Sequence, residues 1–122
     1  MNYAEVGRRG EELAGRLLKR HGYRILATNV RGHFGEIDII ARKKDCHVFV
    51  EVRTRTGDAF GTPEESITRR KRGKMVVCAL DYIASHKELR EANWRIDVVA
   101  IELDRNGAQV RAEIIEGAVP ID

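Results

Sequence analysis

Residues 35–55 read GEIDIIARKKDCHVFVEVRTR. Ile37, Ile39 and Ala41 alternate with Glu36, Asp38 and Ile40, and Val48, Val50 and Val52 alternate with Phe49, Glu51 and Arg53. Period-two alternation in short runs rich in β-branched residues predicts two strands. Lys43, Lys44, Asp45 and Cys46 form the polar connection of a hairpin. A turn centred between Lys44 and Asp45 sets Asp38 opposite Glu51 and Glu36 opposite Arg53. Opposed residues project to one face with Cβ atoms about 5 Å apart. Two carboxylates so placed repel, and a fold tolerates this when a positive group lies between them, usually a divalent metal with oxygen ligands. The opposite face (Ile37, Ile39, Val48, Val50, Val52) is apolar and suits a core. An edge hairpin with one solvated face would carry the same charges without any site, so both readings stand at this point.

The surrounding chain bounds the class. A length of 122 residues suits one domain with a core that needs no staples. With 43% hydrophobic and 34% charged residues, the composition is that of a globular protein without a membrane partner. No apolar run is long enough to span a bilayer, and the N-terminus lacks the apolar core of a signal peptide. Cys46 and Cys78 share no metal-type spacing and read as free thiols, which points to the cytoplasm. A net charge of +3 is too small to argue for nucleic acid by itself, so its distribution matters more.

Residues 3–21 read as an amphipathic helix, with Val6, Gly10, Leu13, Ala14, Leu17 and Leu18 in one stripe and Gly22 as its end. At 100° per residue Glu11 borders that stripe, whereas Glu12 points nearly opposite. Glu11 can therefore look along the edge of the core, and Glu12 should be solvated. Residues 23–29 form a first strand and 30–34 a connection. Phe60, in a loop with two glycines, reads as a core anchor or a stacking aromatic.

Thr62, Pro63 and Glu65 make a helix start with a capping box. The helix is expected to run to about Ser85 with a break near Thr68. Its apolar face is expected to hold Val76, Val77, Leu80, Ile83 and Ala84. Arg69, Arg70, Lys71, Arg72 and Lys74 are five cations in six positions. Such a run is usually a solvated face, yet this one can neutralise a phosphate backbone. Gly73 within it marks a bend or a close backbone approach.

Residues 94–103 read as a buried strand, Asn106-Gly107 as a hairpin turn, 108–116 as a last strand and 117–122 as a tail. Asp97 lies inside the apolar strand and needs a cation or an orphan backbone N–H as partner. The order α-β-β-β-α-β-β predicts a small α/β sandwich, a mixed central sheet flanked by helices.

An Asp near the end of one strand and Glu-x-(basic) on the next resemble the PD-(D/E)xK nuclease superfamily. Within it, Gly7-Arg8-Arg9-Gly10-Glu11-Glu12-Leu13-Ala14, Gly35-Glu36-Ile37-Asp38, Phe49-Val50-Glu51-Val52-Arg53-Thr54-Arg55, Phe60-Gly61-Thr62-Pro63-Glu64-Glu65 and Arg95-Ile96-Asp97-Val98-Val99 resemble the bacterial, largely uncharacterised YraN-like family, which is similar to Holliday junction resolvases. The resemblance implies a restriction-endonuclease-like fold and a Mg²⁺- or Mn²⁺-dependent endonuclease acting on DNA, branched or damaged, working as a homodimer. It implies Asp38, Glu51 and Glu11 as catalytic metal-binding acids, with the carbonyl of Val52 as a further ligand. Arg53 falls where the superfamily has lysine, and Arg55 lies on the same face. Arginine cannot deprotonate, which keeps open a catalytically weak or inactive nucleic-acid-binding accessory domain; a structural or interaction module, its acids a solvated hairpin face, stays open as well.

Overall fold

The computed structural model describes residues 1–57 and 61–121, so Phe60 lies outside the described residues. The elements are α1 (Tyr3–Arg20), β1 (Arg24–Arg31), β2 (Glu36–Lys43), β3 (Cys46–Thr56), α2 (Arg69–Ala84), β4 (Asn93–Leu103) and β5 (Gln109–Ile115). The α-β-β-β-α-β-β order is the expected one. The strands form one five-stranded sheet in sequential order, antiparallel except where β3 lies parallel to β4. That parallel pair needs a crossover, and α2 supplies it. The mixed sheet with a helix on either face is consistent with a nuclease-like sandwich.

Two apolar layers hold it together. Leu13, Ala14, Leu17 and Leu18 of α1 pack on Ile39, Ala41, Val48, Val50, Val99 and Ile101. Met75, Cys78 and Ala79 of α2 pack on Ile40, Phe49, Ile96 and Val98. Burial on both faces explains why β4 reads as a continuous apolar run. Asn2 caps α1 by accepting a hydrogen bond from Glu5 N (2.9 Å), and Gly22 ends it with φ 83°. Cys46 and Cys78 are free thiols.

The hairpin pairs in the expected register, from Lys43 with Cys46 to Ile39 with Val50, and Lys44 takes φ 53° in the turn. Ile37 departs from expectation. It packs in the α2 layer with Ile40, not beside Ile39 against α1. The change of face falls where Asn29 of β1 sits in the left-handed region (φ 51°), between the pairs Thr28–Ile39 and Val30–Ile37. Asn tolerates this conformation because its short polar side chain bonds locally.

The second helix also differs. Thr62 and Glu65 form the start of a single 3-10 turn, Glu64–Ser66, and Ile67 is extended. Thr68 then caps α2 anew, accepting from Lys71 N (3.1 Å), so the break near Thr68 is real. The face turned to the sheet carries Met75, Cys78 and Ala79 with the expected Val76 and Ile83 partly buried beside them, while Val77 and Leu80 are exposed. Both stripes have helical spacing, and only the approach of the sheet selects one. Gly73 marks neither a bend nor a close approach: α2 is continuous through it, and a Cβ there would meet nothing within 4 Å.

Asp97 is wholly buried and finds both partners that its place in an apolar strand demands. Arg95 Nε donates to Oδ1 (2.9 Å), Gly117 N donates to the same oxygen (2.9 Å), and the Tyr23 hydroxyl donates to Oδ2 (2.7 Å). Of the expected tail, the described residues 117–121 are held to the fold, since Gly117 is bonded inward and Val119 joins the α2 layer.

Candidate active site

Glu11, Asp38, Glu51, Val52, Arg53 and Arg55 line one cleft of about 880 Å³ between the N-terminal half of α1 and the C-terminal half of β3. Glycine brings the two walls together: a Cβ on Gly10 would overlap the Thr54 side chain, so α1 lies directly on β3 there. Glu11, the next residue, is thereby turned to the cleft and is half-buried. Glu12 is exposed and pairs with Arg16 (2.8 Å), as the helical wheel required.

Asp38 and Glu51 sit where the β2–β3 ladder opens. The last ladder pair is Ile39 with Val50, and beyond it the Asp38 carboxylate replaces a backbone acceptor: Val52 N donates to Oδ2 (2.9 Å). Burial pushes the Asp38 carboxyl above its ordinary range, against the pull of the Val52 N–H. Burial raises Glu51 as well, and the Asp38 charge adds to it. Glu11 is raised by burial first, then by Asp38 and Glu36. The acids therefore share a repulsive field, which a cation among them would relieve.

Two side chains supply positive charge. Arg53 Nε lies 3.3 Å from Glu51 Oε2, and Lys71 Nζ lies 3.7 Å from the same oxygen. Arg53 Nε is buried and makes no hydrogen bond, so its contact with Glu51 is ionic only. The expected pairing of Glu36 with Arg53 does not form. Glu36 pairs with Arg31 of the neighbouring strand (3.6 Å), because β1 and not β3 flanks β2 at this end. With its NH₂ turned to the acids, Asn29 donates to Glu36 Oε1 (3.2 Å) and to Glu11 Oε1 (2.9 Å). Asn29 thus ties the helix glutamate to the sheet.

The basic run divides. Lys71 reaches Glu51, whereas Arg69, Arg70, Arg72 and Lys74 are exposed and have no ion-pair partner among the described residues. Lys71 lies four residues before Met75 and seven before Cys78, on the stripe that faces the sheet. Reading that stripe from Met75 and Cys78 would have singled it out. Asn29 carried no such signal, since its role depends on a backbone conformation.

Among the described residues no three His, Cys, Asp or Glu side chains stand close enough to hold a metal by themselves. The carboxylates of Asp38 and Glu51 share the cleft with Val52, whose N–H is held by Asp38, and both acids offer oxygen. That set suits a hard cation such as Mg²⁺, which binds through one or two carboxylates and keeps several waters.

The family description "Uncharacterised protein family UPF0102" matches residues 10–101. A UPF0102 protein of Moorella thermoacetica is 46% identical over 112 residues, covering 92% of this chain and 92% of the relative. One of Caldicellulosiruptor bescii is 42% identical over 118 residues, covering 97% of this chain and 99% of the relative. The motifs at Gly10–Ala14, Gly35–Asp38, Phe49–Arg55 and Arg95–Val99 all lie within the matched span, and the chain belongs to the UPF0102 (YraN-like) family.

Proposed function

We propose that this protein is a metal-dependent endonuclease acting on DNA, with branched or damaged DNA as its substrate. The observation that carries this reading is the arrangement of Asp38 and Glu51: two partly buried carboxylates from adjacent strands, in one cleft, with Arg53 and Lys71 beside Glu51. Mg²⁺ (or Mn²⁺) held by Asp38, Glu51 and the Val52 carbonyl would polarise a phosphoryl oxygen and lower the pKa of a bound water. Glu11, tethered through Asn29, is set to hold water at the rim of the cleft. Arg53 and Lys71 supply positive charge for the phosphate where charge builds up during attack. Arg55, Arg69, Arg70, Arg72 and Lys74 hold the flanking backbone.

One observation favours a second reading, a nucleic-acid-binding accessory domain without turnover. Arg53 and Lys71 already compensate Glu51 and so compete with a metal for it. Mg²⁺ titration with labelled linear and four-way-junction DNA separates the two. Metal-dependent cutting by the wild type, lost in Asp38→Asn, is the expected result. DNA binding without cutting in the wild type, and cutting by Arg53→Lys, would establish the accessory domain.

A further inference from the structure

The connection between β1 and β2, residues 32–35, is pressed against α2 and leaves one aromatic ring outside. Asp81 of α2 accepts from His33 N (3.1 Å) and bonds His33 Nδ1 (3.0 Å). Gly32 N donates to Gly35 O (2.8 Å), closing the turn. Both glycines lie close against side chains of α2. A Cβ on Gly32 would stand 2.8 Å from Asp81 Oδ2, and one on Gly35 would stand 3.2 Å from Lys74 Cε, with φ 149° besides. Phe34, between them, is 56% exposed. Its ring meets the edge of the His33 ring, at 6.4 Å between centroids and 63° between planes. The turn is held to α2 with its apolar side chain in water, open to a contact from outside the chain.

The charges around the ring say which contact. Lys74 lies against Gly35 and has no ion-pair partner among the described residues. It stands three residues after Lys71 on the same flank of α2, so the two amines lead from Glu51 towards Phe34. The nearby acids are already matched, Glu36 by Arg31 and Asp81 by His33. Phe34 stands four positions before Asp38, no more than about 14 Å of chain. An aromatic face beside cations, within a few nucleotides of a phosphate site, is the chemistry that stacks on a nucleobase.

We infer that Phe34 is a stacking platform for an unpaired base of the DNA strand whose phosphate enters the Asp38–Glu51 cleft. The inference rests on the endonuclease reading and names its substrate class: DNA with single-stranded character beside the cut, such as a fork or a junction arm. In continuous duplex the bases are stacked on each other, and none reaches Phe34 without being extruded.

The test uses the full chain carrying Asp38→Asn, so that DNA is bound and not cut. Fluorescence anisotropy compares single-stranded, forked and duplex DNA for this protein and for versions that also carry Phe34→Ala, Phe34→Trp or Val110→Ala. Val110 is an exposed aliphatic residue on β5 and serves as the control. Phe34→Ala is expected to weaken single-stranded and forked DNA by about 5- to 150-fold, with a smaller loss on duplex, and Phe34→Trp to retain binding. 2-Aminopurine placed one to four nucleotides from the cut should be quenched at one position, and Phe34→Ala should abolish that quenching. Equal losses on all three DNAs, or no quenching anywhere, would overturn the inference. So would altered self-association of Phe34→Ala in sedimentation without any change in DNA binding, which would assign the ring to a contact between copies. If the protein binds none of these DNAs, the endonuclease reading falls together with the inference. If the wild type cuts duplex and forked DNA equally and Phe34→Ala changes neither, the inference falls alone.

Discussion

Val52 donates its backbone N–H to the side chain of Asp38 across the β2–β3 hairpin (2.9 Å), where the next ladder partner would have offered a carbonyl. The strands part at Ile39 and Val50, and the gap between them holds the two acids. A carboxylate that completes a sheet hydrogen bond is fixed in orientation by it.

That arrangement costs stability when the acids ionise. Burial raises Asp38, and the Asp38 charge helps to raise Glu51 and Glu11. A raised folded-state value means the folded chain keeps its proton to higher pH than the unfolded chain. The folded state is therefore favoured below the ordinary carboxyl range and loses that advantage as pH climbs through the raised values. Asp38→Asn keeps an oxygen for Val52 N and removes the charge. It should raise Tm at pH 7, with the gain shrinking towards pH 4. Mg²⁺ should raise the wild-type Tm and leave that of Asp38→Asn unchanged. A lower Tm for Asp38→Asn at pH 7 would show that the acids do not repel.

Lys71 and Arg70 are neighbours in sequence with different surroundings. Lys71 touches Glu51, and Arg70 is exposed. Lys71→Met should lower single-turnover cleavage at saturating DNA by about 10²-fold or more. Arg70→Met should chiefly weaken binding and reduce the salt dependence by about one unit of slope. Equal effects of both on affinity, with no separate loss of rate, would return Lys71 to the general basic surface.

Arg111 of β5 gathers Glu64, Glu102 and Glu113, and so ties the 3-10 turn before α2 to the sheet. The Arg111 guanidinium holds the Glu64 carboxyl down at about 2. A depressed value contributes stability that is present above the ordinary glutamate range and is lost as pH falls from about 4.5 towards 2. Arg111→Met should cost about 1–2 kcal/mol near neutral pH in urea unfolding, after allowance for solvent screening. The deficit should fade as the solution is acidified through that window. A pH-independent deficit would mean that packing, and not charge, holds the turn.

Two glycines should respond in opposite directions. Gly73 is exposed in a continuous helix with open space around it, so Gly73→Ala should stabilise by about 1 kcal/mol. Gly10→Ala drives a methyl into Thr54 and should destabilise by about 1–3 kcal/mol. It should also move Glu11 away from the cleft. Denaturant titration of both variants checks the signs, and a neutral Gly10→Ala would show that α1 can slide on β3 freely.

Much of this site was legible in the chain because its signals are local. Period-two alternation around a tight turn sets a hairpin register, and the ladder follows it from Lys43–Cys46 to Ile39–Val50. Helical spacing separated Glu11 from Glu12, since a stripe of leucines can bury only one side of α1. Asp97, alone among apolar neighbours, announced a buried partner, and Arg95 and Gly117 answer it.

What the chain did not disclose depends on how elements meet. Ile37 changes sides opposite Asn29, a residue of another strand in a left-handed conformation that no periodicity encodes. Two apolar stripes on α2 have the same spacing, and docking on β2, β3 and β4 chose the one with Met75 and Cys78, leaving Val77 and Leu80 in water. The same choice turned Lys71 inward to Glu51 while Arg69 and Arg70 stayed outside. Side-chain alternation along a strand or a helix is a property of neighbouring residues, so the sequence by itself determined the element order, the hairpin register and the candidate acids. Which cation meets which acid is a property of distances between elements far apart in the chain, and only the tertiary structure decided it.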